Sequence, residues 1–211
     1  MRLLSHLIAP PFCTYCRNPL AEQRALCVEC MAMIQPVVTT LVPLTKTGKR
    51  AIRVHAVGRY HGPLQQLILA KKYSDALACF YMAQLICERT NIAHISLDYI
   101  VPIPLHWRRY AKRGYNQSQE IANAISKQIG VPVLHALKRT KHTPFQSQCG
   151  KDERAQNVAD AFTLIIEQEL KGKRIALIDD VMTTGATLRA AASTLAKGTP
   201  EEIQAVVLAR T

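Results

Sequence analysis

The chain has 211 residues, enough for one sizeable core with an appendage, and its 27 Lys and Arg against 15 Asp and Glu leave a formal charge of +12. That excess favours an anionic partner: nucleic acid, nucleotide or an acidic lipid surface. No apolar run approaches the ~20 residues of a membrane span, so no transmembrane segment is expected.

Met1 to Pro10 is apolar only briefly, interrupted by Ser5 and His6, and it runs into Pro11 and a cysteine pair. It reads as a short helix or arm packed on the body, not as a targeting segment. Cys13-Thr14-Tyr15-Cys16 and Cys27-Val28-Glu29-Cys30 are two CxxC units with ten residues between them. Two such knuckles supply four thiolates, which is what a tetrahedral structural Zn²⁺ takes. Two disulfides or a redox dithiol are the competing readings. The expected cytoplasmic location argues against disulfides, and redox CxxC motifs usually come singly. Zinc at Cys13, Cys16, Cys27 and Cys30 is therefore favoured, with no open position for catalysis. So small a module is expected to draw its folding free energy from the metal. Residues 1–40 are set apart as a zinc-ribbon module and residues 41–211 as the main domain.

Val37 to Arg50, with Pro43 and Gly48, reads as a connector. Ala51 to Val57 alternates as a strand. Gly62-Pro63 opens a helix through Leu64, Leu67, Ile68 and Leu69. Asp75 to Arg89 is a second helix, with an apolar stripe at Leu77, Phe80, Tyr81, Leu85 and Ile86. Cys79 and Cys87 fall on it as core residues. Leu97 to Ile103 is a strand, and Gly114 to Gln128 a helix with Ile121, Ala122, Ile125 and Ile129 on one side. Val131 to Leu134 is a short strand. Thr140 to Arg154 is polar and aperiodic, long enough for a functional loop, and holds Cys149 as a free thiol. Ala159 to Leu164 is a strand, and Ile203 to Leu208 closes the sheet. This alternation predicts an α/β fold, a mostly parallel sheet flanked by helices.

The most specific run is Ile175-Ala176-Leu177-Ile178-Asp179-Asp180-Val181-Met182-Thr183-Thr184-Gly185-Ala186-Thr187-Leu188. A short continuous apolar run marks a buried parallel strand. Two acids stand at its carboxyl end, where open α/β sheets bind ligands. The loop from Met182 to Thr187 offers backbone N–H groups, threonine hydroxyls and one glycine at a helix start, a setting that suits phosphate. Adjacent acids after a buried strand are costly unless used.

A second site follows an earlier strand: Trp107-Arg108-Arg109-Tyr110-Ala111-Lys112-Arg113-Gly114-Tyr115-Asn116-Gln117. Its cations could hold a pyrophosphate. Interleaved with aromatics, they could equally hold single-stranded nucleic acid, where each stacked base contributes about 1–3 kcal/mol. The tract contains the chain's single tryptophan, which favours function over a merely solvated helix face. Asn116-Gln117-Ser118 matches a glycosylation sequon, coincidental in a cytoplasmic protein.

The acid-and-threonine run resembles the PRPP-binding motif of type I phosphoribosyltransferases. The resemblance implies that Asp179 and Asp180 meet the ribose hydroxyls as the catalytic acids, with Mg²⁺ nearby. It implies that Thr183, Thr184, Gly185, Ala186 and Thr187 wrap the 5′-phosphate. The stretch Arg113-Gly114-Tyr115-Asn116-Gln117, with Thr143, Gln146, Arg154, Asn157-Val158 and Phe162, resembles the ComF family signature. Together with the cysteine module, the resemblance covers nearly the whole chain. It implies a zinc ribbon on a phosphoribosyltransferase-like domain, in a family linked to natural competence and the handling of incoming single-stranded DNA. On this reading Trp107, Arg108, Arg109, Lys112, Arg113 and Tyr115 bind the strand, and Lys141 or Arg154 the pyrophosphate. Three functions follow: a DNA-handling protein that keeps a PRPP pocket, an active transferase on a nucleobase or nucleic acid, or an adaptor docking on other DNA-uptake components.

Overall fold

The computed structural model describes residues 11–45, 48, 50–70, 76–105, 110–111, 114–140 and 161–211. In chain order the elements are α1 (Val28–Ala32), β1 (Thr40–Pro43), β2 (Ala51–Arg59), α2 (Gly62–Ala70), α3 (Ala76–Arg89), β3 (Tyr99–Pro102), α4 (Gln117–Ile129), β4 (Leu137–Arg139), β5 (Phe162–Leu164), β6 (Arg174–Met182), α5 (Ala186–Leu195) and β7 (Glu202–Arg210).

Five strands form one sheet in the order β1-β2-β7-β6-β3. The pairs β2–β7, β7–β6 and β6–β3 are parallel, and β1 adds an antiparallel edge. The expected α/β class is thus realised. The last strand does not close the sheet at an edge: β7 is inserted between β2 and β6. This explains its composition, since a central strand covered on both faces is apolar at every position from Ala205 to Ala209. The connector over residues 37–50 contains β1, a strand that its β-branched Val37, Val38, Thr39, Thr40 and Val42 would have signalled. The segment expected as a strand at Val131–Leu134 makes a single parallel bridge to Ile100 through Val133. β5 pairs with β4 in a separate antiparallel ribbon.

The sheet divides the core. Ala176 and Ile178 of β6 pack with α2, α3 and α4 on one face; Ile175 and Leu177 pack with α5 and the β4–β5 ribbon on the other. On the first face Ile121, Ala122 and Ile125 of α4 are fully buried, as the 3.6-residue period predicts. On α3 the buried side is Ala78, Cys79, Tyr81, Met82, Leu85 and Ile86, while Leu77 and Phe80 of the expected stripe stay largely exposed. Burial pushes the Cys87 thiol up to about 11.

The cysteine module joins the same first-face core. Cys13, Ala25, Leu26 and Cys30 belong to one buried cluster with Leu64, Leu67 and Met82. Its exit is fastened to the end of β2, where the Arg59 N–H donates to the Gln35 carbonyl at 3.0 Å. Gly58 makes this approach feasible, because a Cβ there would meet Ile34 Cγ2 at 2.6 Å and the Gln35 carbonyl oxygen at 2.8 Å.

At the opposite end of the sheet, Asp98 clamps the entry to β6. It accepts from the Arg174 N–H at 2.9 Å and from Lys173 Nζ at 3.2 Å. The Arg174 N–H first, then Lys173, hold its carboxyl below the ordinary value. The folded value lies below the unfolded one, so the stabilisation is complete above the unfolded value (about 3.9) and is lost as pH falls through the folded one. Asp98→Asn should therefore lower the melting temperature at pH 7 and flatten its decline at acid pH, measured by thermal melts from pH 7 to pH 2.

Candidate functional site

The C-terminal rim of the parallel strands is where the acids arrive. β6 does not stop before them: it runs through Asp179 and Asp180 to Met182, pairing with β7 as far as Arg210. The turn is therefore shorter than the expected Met182–Thr187 loop. It consists of Thr183, Thr184 and Gly185, and Ala186 and Thr187 already belong to the first turn of α5. Gly185 is its N-cap with φ 72°. A side chain at this position would be strained by that left-handed conformation, and its Cβ would press on Val42 Cγ2 at 3.3 Å. Thr183 and Thr184 are exposed, and Thr184 Oγ1 accepts from the Ala186 N–H at 3.4 Å. The turn thus carries exposed hydroxyls at the start of a helix whose dipole favours an anion.

Asp179 is held from α4 and from its own strand. Its Oδ1 accepts from Ser118 Oγ at 2.9 Å and from the Asp180 N–H at 2.9 Å. Ser118 is a buried residue in the first turn of α4. The start of α4 is in turn fastened to the exit of β3. Asn116, its N-cap, makes no side-chain capping bond; its Nδ2 donates instead to the Ile103 carbonyl at 3.0 Å. The Ile103 N–H donates to the Ile178 carbonyl, also at 3.0 Å, next to Asp179. The result is a closed bracket linking the β3 exit, the α4 start and the first acid. Gln117 is buried beside it, with Nε2 at 3.4 Å from the Tyr115 hydroxyl.

Of the sequence-predicted site residues, Asp179, Asp180, Thr183, Thr184, Gly185, Ala186 and Thr187 meet at this rim. Tyr115 lies between the β3 exit and α4, on the same side of the sheet's end. Trp107, Arg108, Arg109, Lys112 and Arg113 lie outside the described residues, as do Lys141, Arg154 and Cys149. Neither Ser118 nor Asn116 is among the sequence-predicted site residues, although Asn116 belongs to the Arg113–Gln117 signature and both to the sequon. Their signal was available, since both sit at the boundary where the Gly114-Tyr115 pair hands over to the helical period.

The cysteine cluster is compact. The sulfurs of Cys13, Cys16, Cys27 and Cys30 all lie within 4.8 Å of one another, and Cys16 Sγ and Cys27 Sγ are 3.7 Å apart. A tetrahedral ion at the usual Zn–S distance sets its sulfurs about 3.8 Å apart. The Cys27 N–H points at Cys13 Sγ (3.4 Å) and the Cys30 N–H at Cys27 Sγ (3.5 Å). Burial opposes ionisation of Cys13, but N–H groups of Cys16, Cys27 and Tyr15 outweigh it and hold the thiol at about 6. Cys30 is pushed up, first by burial and then by the sulfurs around it. Crowded thiolates repel unless a cation is shared among them.

A phosphoribosyl transferase domain matches residues 115–211. The chain is similar to competence protein F of Haemophilus influenzae, with 31% identity over 209 residues covering 95% of this chain and 85% of that protein. It is 27% identical to the DNA utilization protein YhgH of Escherichia coli K12 over 230 residues, covering 97% of this chain and 99% of the relative. A shorter match, 35% identity over 112 residues, joins 53% of this chain to 44% of competence protein ComFC of Bacillus subtilis.

Proposed function

This chain belongs to the ComF family, and we propose that it handles single-stranded DNA on the cytoplasmic side during natural transformation and keeps a PRPP pocket at the rim of its sheet. The relatives' names, competence protein and DNA utilization protein, carry the broader role in competence. The PRPP pocket rests on one observation: a parallel strand delivers two acids to its C-terminal end and turns at once, through Thr183-Thr184-Gly185, into a helix.

In this reading Asp179 and Asp180 receive the ribose hydroxyls. Thr183 to Thr187 receive the 5′-phosphate, using hydroxyls, N–H groups and the start of α5. The Ser118 bond spends one oxygen of Asp179 on orientation, so the ribose meets an acid whose rotamer is already fixed. Lys141 and Arg154 serve the diphosphate. Mg²⁺ bound with PRPP would neutralise diphosphate charge, with Asp179 and Asp180 as the carboxylates available to it. The tract of Trp107, Arg108, Arg109, Lys112, Arg113 and Tyr115 takes the strand, cations on phosphates and rings on bases. The four cysteines suit Zn²⁺ by donor chemistry and spacing, and with four protein ligands the ion would be structural.

Titration with PRPP and Mg²⁺ and with a short oligothymidylate, separately and in competition, tests the reading. Both should bind, each should weaken the other, and Asp180→Asn should lose PRPP while keeping the strand. If neither ligand binds, the reading is wrong. Pyrophosphate release that requires a nucleobase or DNA acceptor and disappears in Asp180→Asn would make the protein a transferase instead.

The zinc assignment predicts about one ion per chain in protein purified without chelator. Cys16→Ser should lose the metal. Because the module shares the α2–α3 core, that loss should lower the melting temperature of the whole chain. Full stability and no metal in the unsubstituted chain would contradict it.

A further inference from the structure

The two rims of the sheet treat their cations differently. At the N-terminal rim Lys173 meets Asp98 at 3.2 Å, Arg174 meets Glu201 at 2.8 Å and Arg53 meets Glu202 at 3.4 Å. At the C-terminal rim β2 and β7 end on Arg59 and Arg210, which stand in register across a parallel pair. Neighbouring strands lie about 4.8 Å apart, and in-register residues of parallel strands carry their side chains to the same side. Two guanidinium groups therefore leave the sheet together. Among the described residues neither makes a salt bridge or a side-chain hydrogen bond.

Like charges side by side on adjacent strands are unfavourable. Arg59 is exposed and Arg210 half-buried, so neither is needed to fill the core. An anion between them reverses the sign, since each fork can donate to the same phosphate oxygens. Their backbones are also fixed. The Arg59 N–H donates to the Gln35 carbonyl at 3.0 Å, and the Tyr60 N–H to the Arg210 carbonyl at 2.7 Å. Arg210 is in register with Met182, the residue before the Thr183–Gly185 turn. The pair thus stands one strand away from the proposed sugar-phosphate pocket. In the order β2-β7-β6-β3, it lies across that pocket from the β3 exit, by strand spacing roughly 10 Å away at Arg210 and roughly 14 Å at Arg59.

We propose that Arg59 and Arg210 form a single subsite for one phosphodiester of a nucleic-acid strand, so that the strand crosses the rim over the end of β7. This rests on the strand-binding reading above. Two forks with no acidic partner among the described residues suit one diester of a long polyanion.

Fluorescence anisotropy of a labelled oligothymidylate over a salt series tests it, using the unsubstituted chain, Arg59→Gln, Arg210→Gln and the double variant. Each single substitution should weaken binding about tenfold at low salt, the scale of one charge-assisted hydrogen-bonded contact. Neither single substitution should change the salt slope much, because the remaining arginine still neutralises the shared phosphate. The double variant should make the slope shallower by about 0.7, the value for one phosphate on a single strand. Melting temperatures should stay equal or rise, since the substitutions remove repulsion, and PRPP affinity should not change.

Unchanged strand affinity and slope in the variants would overturn the subsite while leaving the strand reading intact. A slope loss of about 0.7 in each single variant and twice that in the double would mean two separate contacts and would also overturn it. Loss of PRPP affinity with strand binding kept would assign the pair to the diphosphate and overturn it. If the unsubstituted chain binds no strand, the strand reading fails and the subsite falls with it.

Discussion

The site depends on one hydrogen-bonded bracket. Ile103 donates to the Ile178 carbonyl, Asn116 donates to the Ile103 carbonyl, and Ser118 donates to Asp179 Oδ1. These bonds tie the exit of one parallel strand, the start of the following helix and the first acid of the next strand into a single unit. Without them the Asp179 carboxylate would lose its donor from α4. With them, Asp179 is locked by donors from α4 and from its own backbone, and the direction of the rim is set by the sheet itself. Orientation established before a ligand arrives is the part of binding that a rigid scaffold supplies best.

The two faces of the sheet divide the labour. Helices α2, α3 and α4 and the cysteine module cover one face, and α5 with the β4–β5 ribbon covers the other. The module leaves its cluster through Gln35, against the end of β2, so its fold and the rim are mechanically joined through Gly58 and Arg59. Charge follows the same logic. Ion pairs neutralise the N-terminal rim, where β2, β6 and β7 begin. Arginine ends β2 and β7 at the rim that carries Asp179 and Asp180. A chain of net charge +12 has cations to spare, and among the described residues Arg59 and Arg210 make no salt bridge.

Much of this was legible in the residues. The continuous apolar run Ile175–Ile178 demanded a strand buried on both faces, and Gly185 before a helical period demanded a sharp turn. The CxxC spacing brought four sulfurs together, because two local knuckles need little help from tertiary structure. What the residues hid is non-local. Nothing in Ile203–Leu208 says whether such a strand is central or at an edge, since its neighbours lie far away in sequence. The three-residue strand Leu137–Arg139 has too few positions to show a period, and its partner is supplied across the long 140–161 connection. The exposure of Leu77 and Phe80 has the same origin: an apolar side chain on a helix is buried only if a partner element arrives, and the module and sheet reach a different side of α3. Ser118 escaped notice because its role is a contact across 61 positions, which no local pattern records.

The most direct measurement is a crystal structure of the chain grown with PRPP and Mg²⁺. The 5′-phosphate should lie against Thr183, Thr184 and Gly185 and the ribose hydroxyls on the Asp179–Asp180 pair, with the Ser118–Asp179 bond intact. Ligand density elsewhere on the molecule, or both carboxylates turned away from the bound sugar, would contradict it.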